Sequence, residues 1–211
     1  MFAITADQVD SRHRPDIAAE TILTLEILLG HGLVLPVDRT AGDEIQLLLA
    51  TSESTLAAIL ALTRHGEWSV GCGIGEVTLP LAKNTREAGG AAFVAAREAV
   101  NDAKKRDTRF ALRSPAITDA ADTEAFVDLL LQLRGRRSAE GWEMCDLLLA
   151  GNSQAEAAKL LGFSQAAICS WECGRSTPEI DSAAKIERET SGDVPMRAWA
   201  TPIAAKRRTA A

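Results

Sequence analysis

The sequence has no apolar run near the ~20 residues that a membrane-crossing helix needs, so an α-helical span is excluded. Cysteine is scarce: the four thiols, Cys72, Cys145, Cys169 and Cys173, form no C-x-x-C pair. Buried or idle cytosolic thiols are therefore the expectation, not a disulfide framework. Cys169 and Cys173 lie four apart on a helix and share a face, but two thiols alone make a poor zinc site. Histidine is scarcer still. His13, His31 and His65 have no mutual spacing that suits a metal, and all three are expected at the surface. The opening MFAITADQVDSR reaches acidic residues too early for a secretory signal, which points to the cytoplasm.

What remains is a chain of 211 residues, 46% hydrophobic and 25% charged, enough for one large or two small domains. Its net charge of −6 is unevenly shared. Residues 1–133 carry a balance of −7 and residues 134–211 a balance of +1. Arg134, Arg136 and Arg137 form one basic cluster and Lys206, Arg207 and Arg208 another, suited to phosphate contact or to plain solvation. The weakly patterned stretches 114–123 and 134–141 place a domain boundary in this region, giving domains 1–133 and 134–211.

The stretch Ser153–Pro178, SQAEAAKLLGFSQAAICSWECGRSTP, carries the strongest local signal. Ser153 is an N-cap, and Ala157, Ala158, Leu160 and Leu161 supply an apolar stripe at helical spacing. Gly162 stops that helix, Phe163 plugs the joint, and Ser164 caps a second helix whose buried stripe is Ala167, Ile168 and Trp171. The plain alternative is a helical hairpin with no nucleic-acid role. The pattern resembles the phage-repressor-type helix-turn-helix, including the Trp171-Glu172 pair, Gly174 and Pro178. That resemblance implies an all-α DNA-binding domain with Gln165, Ala166 and Ser170 facing bases and Ser164 among the contact residues. Gln154 and Arg175 fall where phosphates are gripped. Double-stranded DNA is then the partner, read by a homodimer across two half-sites, because a single such unit buries too little surface for tight binding.

Upstream, strands and helices alternate. Phe2–Ala6, Leu33–Val37, Ile45–Ala50, Trp68–Val77 and Arg109–Leu112 read as strands. Pro15–Gly30, Thr55–His65 and Ala88–Lys105 read as helices. The order βαββαβ with appended elements predicts an α+β, ferredoxin-like domain: one antiparallel sheet with helices on one face. In that order the first strand lies beside the hairpin, so Asp7 converges with Asp43 and Glu44. Such acids suit a hard cation such as Mg²⁺ carried with nucleotide phosphates. Each feature also has a plain reading: Gly-Asp is a common turn, and glycine-rich strands occur wherever a helix crosses closely.

The same residues resemble the nucleotidyl-cyclase superfamily and, over most of the chain, the SatD family of small bacterial proteins. The matching segments are Ala6–Arg12, the hairpin Gly42-Asp43-Glu44-Ile45-Gln46, the strand Gly73-Ile74-Gly75 and the helix Ala96-Arg97-Glu98-Ala99. The resemblance implies metal ligands at Asp7, Asp43 and Glu44 and nucleotide contacts at Asp10, Ser11, Arg12 and Arg97. Departures favour binding over turnover. Phe93 stands where catalytic cyclases place an Asn, Ile45 replaces a Phe, and Asp10 adds negative charge where phosphates would turn. The expectation is a cytoplasmic DNA-binding regulator whose degenerate cyclase-like domain senses a nucleotide, with or without Mg²⁺, or mediates dimerisation. A metal-dependent nucleotidyl cyclase or transferase with a targeting helix-turn-helix is the alternative.

Overall fold

The computed structural model describes residues 1–40, 42–115, 120–137 and 139–172. Within helices, the side chains of Ala139, Glu140, Gln154, Ala157, Ile168, Trp171 and Glu172 lie outside that description. So does everything from Cys173 onward, which takes in Arg175, Pro178 and the basic tail. The chain divides into two compact units, Met1–Gly135 and Arg136–Ala211.

The first unit is mixed α and β. Its strands are β1 (Phe2–Gln8), β2 (Leu33–Arg39), β3 (Glu44–Leu49), β4 (Trp68–Ile74) and β5 (Phe110–Arg113). Its helices are α1 (Ala18–Leu29), α2 (Ser52–Leu62), α3 (Ala91–Ala103) and α4 (Ala120–Gly135). The strands form one sheet in the order β2-β3-β1-β4-β5. Neighbours are antiparallel except β4 and β5, which run parallel.

Register explains how both faces are filled. Ile4 pairs with Leu47 and Cys72, and Ala6 with Ile45 and Val70, which in turn face Leu112 and Phe110 across the β4–β5 ladder. These rows pack against Leu25 and Leu29 of α1, Ala58, Ile59 and Leu62 of α2, and Val127 and Leu131 of α4. The alternate rows, Ala3–Leu48–Gly73 and Thr5–Gln46–Gly71, face the other way. There α3 lies on the sheet through Ala92, Phe93 and Ala96, and Ala99 and Ala103 meet Ala111 of β5.

Helices therefore cover both faces, not one, which corrects the sequence expectation. The reason is local. Gly71 and Gly73 leave no side chain on the second face, and the backbone of α3 drops into the space. With this strand order, the β4–α3–β5 crossover has the opposite hand to β1–α1–β2 and β3–α2–β4. Such connections are right-handed in about 98% of cases, so this sheet holds an uncommon one.

Helix α4 begins inside the stretch 114–123, which by its sequence reads as a joint. It is held to the β5 edge by Arg106, which pairs with Glu124 and lies 3.7 Å from Asp128. Thr108 donates to Asp128 at 2.5 Å.

In the second unit, α5 (Ala139–Leu149) packs with two short helices, α6 (Gln154–Leu161) and α7 (Gln165–Glu172). The shared core is Met144, Ala158 and Leu161, with Leu147, Leu148, Phe163 and Ala167 around it. Helix α6 opens on a reciprocal capping box: the Ser153 hydroxyl accepts from the Glu156 N–H, and the Glu156 carboxylate accepts from the Ser153 N–H at 2.8 Å. It closes on Gly162 in the left-handed region, φ 70° and ψ 30°, with the Phe163 N–H reaching back to the Ala158 carbonyl at 2.9 Å. The Ser164 hydroxyl then accepts from the Ala167 N–H at 3.2 Å to start α7.

Candidate functional site

The carboxylates that the sequence singles out collect at one end of the first sheet. Asp7, the seventh residue of the chain, is the direct cross-strand partner of Glu44. Side chains at paired positions share a face, here the face that α3 covers. Asp43 sits at the hairpin tip, where its carbonyl accepts from the Gln8 N–H at 3.0 Å. Its side chain accepts from the Ser11 hydroxyl on the turn that follows β1. Strand end, hairpin tip and the β1–α1 turn are thus joined by named bonds.

Arg39 tightens the same corner. Its Nε donates to the Gly42 carbonyl at 2.6 Å, and its Nη1 pairs with Asp16 at 2.7 Å. The Ala18 N–H donates to Asp16 at 3.0 Å, and this bond, then Arg39, holds the Asp16 carboxyl below its usual range.

Each acid has a partner. Glu44 accepts from Thr40 Oγ1 at 2.7 Å, Arg97 Nη2 at 3.1 Å and Gln46 Nε2 at 3.3 Å. Asp7 accepts from Lys104 Nζ at 2.7 Å, where Lys104 closes the C-terminal end of α3. The expected nucleotide contacts divide. Ser11 reaches Asp43 and Arg97 reaches Glu44, whereas Asp10 is turned to His13, whose Nδ1 lies 2.7 Å from Asp10 Oδ1. Arg12 is exposed on the same turn. All three histidines are exposed.

Magnesium takes hard oxygen ligands, and three carboxylates supply such atoms. As arranged, the set does not fit a resident divalent ion. An ion at Asp7 would meet the Lys104 ammonium 2.7 Å from its ligand oxygen, and at Glu44 it would meet the Arg97 guanidinium, which with Thr40 and Gln46 donates to Oε1. Among the described residues no three His, Cys, Asp or Glu side chains cluster closely enough to hold a metal.

Beside Glu44 opens a cleft of about 620 Å³, lined by Arg39, Thr40, Gln46, Arg86, Phe93 and Arg97, among others. Its three guanidinium groups are all paired, Arg39 with Asp16, Arg86 with Asp38 at 3.5 Å and Arg97 with Glu44. Phe93 is mostly buried on the Ala3–Leu48 cluster.

Known family models, curated proteins and solved structures yield no match to this chain.

The second candidate surface lies on α7. Gln165 and Ala166 open that helix and are exposed, Ser164 caps it from an exposed position, and Ser170 is half-buried. The side chain of Gln154 and the whole of Arg175 lie outside the described residues. Sequence reasoning missed Lys104 and Thr40, and named Gln46 only as part of the hairpin motif. Lys104 carried the one available signal, as the first residue of the basic run Lys104-Lys105-Arg106 at the end of a predicted helix.

Proposed function

We propose that the protein is a DNA-binding transcriptional regulator, with α6 and α7 as a helix-turn-helix and the first unit as its ligand-sensing or dimerising domain. The observation that carries this reading is the joint between α6 and α7. A capping box, a left-handed Gly162 and a Ser164 cap build a short, rigid turn. The turn leaves Gln165 and Ala166 exposed at the start of the second helix, where a recognition helix presents its base-reading residues. A Gln at that point can bond adenine N6 and N7 together. The small Ala158 lies in the core shared with α5 and α7, where its size permits close packing of two short helices.

For the first unit, the antiparallel order β2-β3-β1-β4 supports a ferredoxin-like arrangement, extended by β5. The ligand in this reading is a nucleotide, bringing Mg²⁺ with it or bound without metal, and the three arginines of the cleft beside Glu44 are what support it. Phe93 in place of an orienting Asn supports binding over turnover. Cytoplasmic location and a homodimer complete the reading.

The decisive experiment is recovery of genomic DNA with the tagged protein, followed by sequencing. A shared motif that Gln165→Ala weakens supports the regulator, and the absence of any motif overturns it. A second reading, a metal-dependent nucleotidyl cyclase or transferase, draws on the pairing of Asp7 with Glu44. Product from ATP or GTP with Mg²⁺ or Mn²⁺, lost in Asp43→Ala, would establish it over the first.

A further inference from the structure

We infer that Lys104 is the built-in counter-ion of the Asp7 carboxylate, and that Asp7 accepts no free divalent cation while Lys104 is in place. Lys104 Nζ lies 2.7 Å from Asp7 Oδ2, within strong charge-assisted hydrogen-bond range. The pair is partly shielded, with the Asp7 side chain 22% exposed and that of Lys104 41%. Shielding strengthens the attraction and equally strengthens the repulsion any second cation would meet.

The fold places this lysine. Helix α3 is pinned along its length because Gly71 and Gly73 let its backbone settle onto β4. Its C-terminal end, closed by Lys104, therefore reaches the end of β1. Glu44 has its own cation in Arg97, which donates to Oε1 along with Thr40 and Gln46, and Asp43 Oδ2 is taken by Ser11. A metal entering at Asp7 must displace an ammonium and then stand beside it. This inference concerns the first unit alone and stands or falls separately from DNA reading.

The test uses the full chain, with Mn²⁺ alone as the probe and the loss of the free-ion paramagnetic signal as the readout. The wild-type protein and Lys104→Arg leave Mn²⁺ free. Lys104→Met binds one Mn²⁺ at least about tenfold more tightly than wild type, because the like charge is gone and a carboxylate is released. Adding Asp7→Asn to Lys104→Met abolishes the gain. Lys104→Gln serves the same purpose should the Met variant melt early by circular dichroism. Saturable Mn²⁺ binding by wild type that Asp7→Asn removes would overturn the inference. Equal affinity of wild type and the folded Lys104→Met or Lys104→Gln protein would do the same.

Discussion

Gly73 of β4 lies so close beneath Ala92 of α3 that a Cβ at this position would stand 2.0 Å from the Ala92 carbonyl oxygen. Gly71 is in the same state one row along, 2.2 Å from the Val100 nitrogen. These two contacts decide which face α3 occupies, and through it where Arg97 and Lys104 meet the carboxylates. The glycines of this strand are explained by helix packing before any ligand is invoked.

Substitution at these glycines is therefore expected to be severe. Gly73→Ala must push the α3 backbone off the sheet, and a loss of about 3 kcal/mol follows from such overpacking. Chemical denaturation of the two proteins checks this. Gly75→Ala, whose Cβ would stand 3.0 Å from the Ala92 nitrogen, should cost clearly less. Equal losses at the two positions would refute the packing argument.

The cap of α6 carries a pH dependence of fixed sign. The hydrogen bonds from Ser153, side chain first and then backbone, hold the Glu156 carboxyl below its ordinary value of 4.5. A depressed carboxyl stabilises the fold above its unfolded value, and the stabilisation is lost as pH falls through the depressed one. Amide-exchange protection of α6 should thus fall from roughly pH 4.5 downward and become pH-independent in Glu156→Gln. Ser153→Ala should weaken the helix by about 1 kcal/mol at neutral pH.

Cys72 should be inert. It lies in the core between Ile4, Val70 and Leu112, and burial pushes its thiol up to about 12. In native protein at mildly alkaline pH, iodoacetamide should leave Cys72 unmodified while the half-buried Cys145 and Cys169 react, as read by peptide mass spectrometry. Labelling of Cys72 before unfolding would show that the sheet opens more readily than its packing implies.

At a cognate site, Gln165→Ala should cost roughly 1–3 kcal/mol and relax preference at one adenine position. Binding titrations on cognate and adenine-substituted DNA measure both effects. Unchanged affinity and preference would remove Gln165 from the base-reading set.

Much of the element order was legible in the chain. The short buried strand Phe2–Ala6, the turn at Gly42-Asp43 and the Ser153-to-Ser164 capping pattern are local signals, and local signals come from backbone chemistry that each residue carries with it. The pairing of Asp7 with Glu44 was also within reach, because βαββαβ order puts the first strand beside the hairpin. Helix α4 is not legible because its apolar residues make no single stripe. Its apolar residues are split between Val127 and Leu131 in the core and Phe126, Leu129 and Leu133 at the surface.

By itself, then, the sequence determined the strands, most of the helices, the caps and the types of group present near the sheet end, all of which follow from short-range preference and spacing. Only the tertiary structure decided which face α3 covers and which cation stands against which acid. The distance from Asp7 to Lys104 spans 97 positions of chain, and it closes to 2.7 Å only because two side-chain-free glycines let a helix settle on the far side of the sheet.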